Sequence, residues 1–231
     1  MRRVALLILA ASVMLIAAAA AFAGPRDPRL HKRPADVARA KALILKLGDL
    51  PAGFVDKGPQ KDASGPTPPG CTAPNLHALV VTADVSSHNF ERDRAGFAEA
   101  LSETSFFLRP AQAQRAVVAS TNSKLTGCVK RAIVASAKKS SGGAMAVVST
   151  RLVPISATVG DLHTKIWDIF VAFKTRGLLF HDEMVLAYFR RGRVVSFVML
   201  NSINGLTEED AKNISERLTM RLKSLPKSIV S

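Results

Sequence analysis

The chain has 231 residues, of which 48% are hydrophobic, a formal net charge of +14 and two cysteines. A chain of that length buries one full core without metals or a set of staples, which excludes the small scaffolds that depend on them. The basic balance favours anionic partners such as wall polymers, lipid headgroups or acidic glycans, with solubility as the plainer reading.

The first residues are "MRRVALLILAASVMLIAAAAAFAGPRDP". Arg2 and Arg3 precede an unbroken apolar run, and Ala21, Phe22 and Ala23 make a small-x-small cleavage pattern before Gly24. Residues 1–23 therefore read as a secretory signal peptide, with a retained N-terminal anchor as the alternative. No cysteine follows the run, which argues against lipid modification. Cleavage removes 23 residues and two arginines and leaves 208 residues carrying +12, so the basicity belongs to the folded part. The expected location is extracytoplasmic, with no membrane span after cleavage.

Cys71 and Cys128 both lie in the exported part, and an even count in an oxidising compartment reads as one disulfide. Closing that loop stabilises the fold by roughly 4 kcal/mol in the chain-entropy account. A zinc reading is poor, since no other cysteine exists and no histidine is close to either one.

Residues 24–35 carry three prolines and no apolar period, and predict a flexible tail ahead of a single α+β domain over 36–231. Asp36 looks like an N-cap. Val37, Ala40, Ile44 and Leu47 share a stripe with Leu43 beside it, so a helix is expected over about 36–47. In "KLGDLPAGFVD" glycine follows the helix, the reverse of a phosphate-binding loop. Gly48 is expected as a left-handed cap, Pro51 holds Leu50 extended, and Gly53 lets Phe54 turn into the core.

Residues 56–70 hold four prolines and three glycines and are excluded from helix and central strand. An edge or half-buried strand is expected in "LHALVVTADVSSHNFE", and a second over 100–109. Pro110 starts a helix, and another follows over about 123–138, with Cys128 on its apolar side where it can reach Cys71. Beyond Ala144 four strands follow. Centring the last turn on Arg191 and Gly192 pairs Tyr188 with Val195, Leu186 with Phe197 and Met184 with Met199. That face is nearly all apolar and is expected under helices. The opposite face, with Ala187, Ser196, Glu183 and His181, is expected to be thinly covered. Thr207 and Asp210 frame the start of a final helix with Glu208 and Glu209 in its first turn.

Chemistry is sparse. Of His31, His77, His88, His163 and His181, the last sits in "HDE", where His181 and Glu183 share a strand face and Asp182 takes the other. Two ligands do not close a metal site, so the face reads as solvated and no metal or cofactor is expected. No nucleophile motif of the G-x-S-x-G type occurs, so an enzyme needs a triad assembled in space or a carboxylate pair drawn from only eighteen acidic residues, and the sequence supports neither. Arg190, Arg191 and Arg193 at the hairpin tip are the candidate ligand-binding residues, able to grip phosphate or carboxylate bidentately. One Trp and one Tyr do not interleave with basic residues as in RNA binders, so no nucleic-acid partner is expected.

The order of these features resembles the secreted bacterial sensor-type domains grouped with the PknH-like extracellular domain and the PsbP-like fold. It runs from an exported N-terminus through "LGDLPAGF", a proline-rich loop into Cys71, the Cys128 helix and the "YFRRGRVVSFVML" hairpin to a terminal helix. The likeness spans roughly residues 36–225. It implies an antiparallel sheet between helices, one disulfide, and a non-enzymatic binding or sensor-like accessory role in the cell envelope. Such a module, contacting an anionic or amphiphilic ligand or a protein partner and most simply a monomer, is the expected function; an envelope hydrolase is the alternative. Family members often hang from a kinase's transmembrane helix or a lipid anchor, which this sequence does not display, so a freestanding binding protein is what the resemblance leaves.

Overall fold

The computed structural model describes residues 28–60, 71, 74–93, 97–140, 144–175, 177–203 and 206–231. The expected signal peptide, the first tail residues and most of the proline-rich stretch lie outside them. In chain order the elements are β1 (Arg29–Leu30), α1 (Pro34–Leu43), a short 3-10 turn (Leu47–Asp49), β2 (Val55–Pro59), β3 (Val80–Ser86), β4 (His88–Arg92), β5 (Phe97–Phe107), α2 (Pro110–Ser120) and α3 (Ser123–Ser140). There follow β6 (Met145–Val159), β7 (Leu162–Thr175), β8 (Leu178–Arg191), β9 (Val194–Ile203), α4 (Glu208–Ser224) and α5 (Lys227–Val230).

The strands form one sheet in the order β1-β3-β5-β9-β8-β7-β6. β4 continues β3 along the same side of β5, and β2 pairs with β4. Every described pairing is antiparallel except β1 with β3. The fold is therefore α+β, as the alternating patterns of the second half require. Helices cover both faces. On one face α1 and α4 bring Ala40, Leu43, Ile214, Leu218 and Leu222 onto Phe106, Ala187, Val198 and Leu200. On the other, α2 packs Ala113, Ala116 and Val117 on Val81, Phe107 and Val195. Ile133 of α3 joins Met145, Ile169, Val171, Met184 and Met199 there.

Several expectations are displaced, each for a physical reason. Helix α1 begins at Pro34, because proline fits a first helical position that needs no N–H, so Asp36 falls inside the first turn rather than at the cap. The helix ends at Leu43, where Ile44 is extended, and Gly48 lies in the 3-10 turn instead of a left-handed cap. Arg221 of α4 makes this stop: it donates to the Ile44 carbonyl at 3.1 Å and pairs with Asp49. Gly53 does turn with φ +95, and Phe54 is buried behind it under the Arg92 guanidinium.

The tail residues from Arg29 to Arg33 are tied to β3 by three backbone bonds, with Arg29, His31 and Arg33 donating to the carbonyls of Leu79, Val81 and Thr82. The strand expected within residues 76–91 is two strands broken at Ser87, the one over 100–109 begins three residues earlier, and Val55–Pro59 forms an edge strand.

The β8–β9 hairpin turns on Gly192 and Arg193, so Tyr188 faces Phe197 and Leu186 faces Met199, two residues from the expected register. An even shift leaves each side chain on its own face. Gly192 supplies φ +54 at the turn, and the Val230 carbonyl occupies the place where a Cβ would stand. The hairpin's mixed face is not thinly covered near the tip: Ala187 is fully buried, since small side chains there let α1 and α4 approach. Its far end, at His181 and Glu183, borders an open groove.

Asp36 is 3% exposed and holds Arg193 bidentately, at 2.9 Å to each carboxylate oxygen, while Thr82 Oγ1 donates to it at 2.6 Å. Burial opposes this charge, yet Arg193 and Thr82 outweigh it and hold the carboxyl below its ordinary value. Asp36→Asn is expected to cost about 3–5 kcal/mol near neutral pH, because it leaves the guanidinium uncompensated. The wild type's advantage is present above the ordinary carboxyl value and is lost as pH falls through the lowered one. Urea unfolding of both proteins across that range checks both the size and the sign.

Candidate functional site

The hairpin arginines are mostly spent inside the fold. Arg191 is buried, donates to Asp161 at 2.7 Å, and directs Nη1 at the carbonyls of Leu222, Lys223 and Leu225, the unsatisfied C-terminal end of α4. Its guanidinium holds the Asp161 carboxyl below the usual range. Arg193 serves Asp36, the Ile229 carbonyl at 2.7 Å and the Phe107 carbonyl at 3.2 Å. Arg190 differs: among the described residues it makes one bond, of 3.4 Å, to the Gly192 carbonyl. Repeated arginines at the tip thus arise from three separate duties, which spacing alone does not distinguish.

Cys71 and Cys128 form a disulfide with Cα atoms 5.4 Å apart. Arg131 of α3 donates to both sulfurs, at 3.4 and 3.3 Å. The bridge ties the end of the proline-rich stretch to α3, one residue before Val129.

Val129 lines an open cleft of about 240 Å³ between the sheet and the helices α2 and α3. The floor is built from Leu152, Trp167, Ile169, Leu186, Tyr188, Val195 and Phe197, and the wall from Ala116 and Val117. The chain's single tryptophan and single tyrosine meet here. Strand alternation explains it: odd positions of β7 and β9 and even positions of β8 share this face, in register. The helices α2 and α3 pack at either side and leave the cleft between them.

The rings of Tyr188 and Phe197 lie 4.9 Å apart. Glu103, Ser105 and Ser120 supply the polar part of the lining. Burial, with the Glu103 charge beside it, pushes the Tyr188 hydroxyl well above its ordinary value, so it stays a donor at neutral pH. A cleft with an aromatic floor and a few polar groups has the chemistry to take an apolar body and orient one polar end. The hydrophobic run "YFRRGRVVSFVML" pointed to a buried face, but the gap between α2 and α3 carried no sequence signal.

The "HDE" group divides as its alternation requires. Asp182 is buried and takes the strand face of Met184, while the exposed His181 and Glu183 take the other, and all three border a groove of about 480 Å³ with Arg151 and Phe170. The Arg151 guanidinium stacks 4.5 Å from the Phe170 ring. Burial raises both Asp168 and Glu183 in that region; the charges of Asp168 and Glu208 raise Glu183 further, and Arg151 moderates Asp168. Among the described residues no three His, Cys, Asp or Glu side chains converge as a metal site, and no helix is long and apolar enough to cross a membrane.

No family model matches the chain, and no curated protein matches it.

The arginine geometry is directly testable. Arg191→Ala is expected to destabilise the fold by about 2–4 kcal/mol, since it strands the carbonyls at the end of α4 and a buried hydrogen-bond network. Arg190→Ala should stay within about 0.5 kcal/mol of wild type. Chemical denaturation of the two variants decides between structural and solvent-facing roles.

Proposed function

We propose that the chain is a non-enzymatic binding module of the bacterial cell envelope, exported by residues 1–23, whose cleft under α2 and α3 holds the apolar part of an amphiphilic ligand. The observation that carries this reading is the cleft itself, where Trp167, Tyr188 and Phe197 line an open apolar space rather than closing over it. The sheet between helices and the single disulfide agree with the architecture of the PknH-like and PsbP-like group, and a disulfide suits an oxidising compartment.

An anionic headgroup suits the surroundings of the cleft. Arg109, Arg115 and Lys130 are exposed on or beside the two helices that wall it, and the chain carries a net +14. With Arg191 and Arg193 turned inward, Arg190 is the hairpin residue left for such a contact. Attraction at exposed cations falls with salt, whereas burial of an acyl chain does not.

Trp167 reports on the cleft without a label. Titrating the protein with lysophosphatidylglycerol is expected to shift Trp167 emission saturably, with weaker binding at high salt. Ala116→Phe, which fills the wall, should weaken binding at least tenfold. Unchanged emission in the wild type, or full affinity in the filled variant, would show that the cleft does not take such ligands.

A further inference from the structure

A second feature lies on the same sheet face, beyond the Met184 and Met199 core and away from the cleft. Among the described residues eight buried side-chain polar atoms have no hydrogen-bond partner, and five of them fall in one row across four strands. They are Oδ1 of Asn89 on β4, Oε2 of Glu99 on β5, both amide atoms of Asn201 on β9, and Oδ1 of Asp182 on β8. Register brings them together. Glu99 is the direct cross-strand partner of Asn201, Asn201 faces Met184, and Asp182 precedes Met184 by one side-chain repeat on the same face. Asn89 donates to the other Glu99 oxygen at 2.6 Å.

These groups are deeply buried: Glu99 and Asn201 are 0% exposed and Asp182 is 3% exposed. Each polar atom left unmatched in a dry core carries its full desolvation cost, so five together call for a partner. Burial holds the row's carboxyls toward their protonated form, so an ion entering it displaces those protons. Burial, against a bond from Asn89 and with the Glu91 charge adding to it, sets the Glu99 carboxyl at about 8, and burial with the charges of Glu99 and Glu183 raises Asp182. Lys57 pairs at 3.3 Å with Glu91, which lies outside the row. In a chain of net +14, an acidic row this deep, which no lysine or arginine among the described residues enters, is a place for a cation.

We infer that the row of Asn89, Glu99, Asn201 and Asp182 binds a hard divalent cation of the calcium or magnesium class. Carboxylate and amide oxygens are the donors such ions take, and neither a thiol nor an imidazole is in the row to favour a softer metal. The unmatched Asn201 carbonyl distinguishes this row from a mere patch of acids, because both of its amide atoms are held inside the core with nothing to bond. The ion's place is structural, joining the β4–β5 end of the sheet to β8 and β9. It is separate from the apolar cleft and does not depend on a ligand there.

The protein, stripped of metal, is titrated with Mn²⁺ while amide signals are followed by NMR, and Ca²⁺ or Mg²⁺ is then added as competitor. Paramagnetic broadening is expected to centre on Asn89, Glu99, Asp182 and Asn201 and to reverse with the competitor, and the melting temperature should rise with ion concentration. Asn201→Leu should lose at least tenfold in affinity, while the exposed Glu216→Gln keeps it. Broadening scattered over surface carboxylates, a melting temperature indifferent to the ions, or full affinity in Asn201→Leu would overturn the site. The broadening map is read on the wild type, so it decides the matter even where a variant folds poorly.

Discussion

The Arg193 guanidinium is the point at which α1 and the C-terminal residues are joined to the sheet. It sits at the β8–β9 turn, grips Asp36 of α1 through two bonds, reaches Thr82 of β3 and the Phe107 carbonyl at the end of β5, and donates to the Ile229 carbonyl near the C-terminus. It also lies 5.2 Å from the centre of the Phe106 ring. A buried charge is tolerable only when its donors are used, and here α1, β3, β5 and α5 all supply acceptors. The backbone repeats the same logic, since the Arg193 N–H donates to the Val230 carbonyl at 2.8 Å. The C-terminal residues therefore close over the hairpin turn, and Gly192 is required because any side chain would strike them.

Arg191 and Arg221 extend this pattern to the two ends of one helix pair. Arg191 collects the last carbonyls of α4, and Arg221 collects the carbonyl that α1 leaves free at Ile44 along with Asp49. Guanidinium groups do this better than lysine would, because a planar fork can serve several carbonyls at once. Part of the chain's positive charge is thus internal mortar for one face of the sheet. The positive surface potential that remains comes from lysines and arginines elsewhere.

Local grammar made the secondary structure legible where one residue type has one physical use. Thr207 and Asp210 form the capping box that their spacing predicts, Pro110 opens α2, and the even cysteine count closes as Cys71–Cys128. The long alternating strands declared their faces correctly even where the register moved, because a shift of two preserves parity. What failed to show was anything decided by distant partners. Asp36 reads as a cap until Arg193, 157 positions away, claims it. The three hairpin arginines look equivalent until the C-terminal helix arrives, and no periodicity marks the gap that α2 and α3 leave over Trp167.

The two sheet faces consequently have opposite characters built from the same strands. Toward α1 and α4 the sheet presents Ala83, Ala98, Ala100 and Ala187, each fully buried, and the helices settle close and are fixed by arginine clamps. Toward α2 and α3 it presents larger side chains, and helix packing there divides into two separate clusters around Val117 and Ile133. Close packing leaves no room, while two helices resting on bulky rings leave space between them. A rigid face behind the cleft suits the binding role proposed above, since the strands that shape Trp167, Tyr188 and Phe197 cannot shift without disturbing the clamped helices beneath. The disulfide adds to the same end by holding α3, and with it Val129, against the side of the cleft that the arginine clamps do not reach.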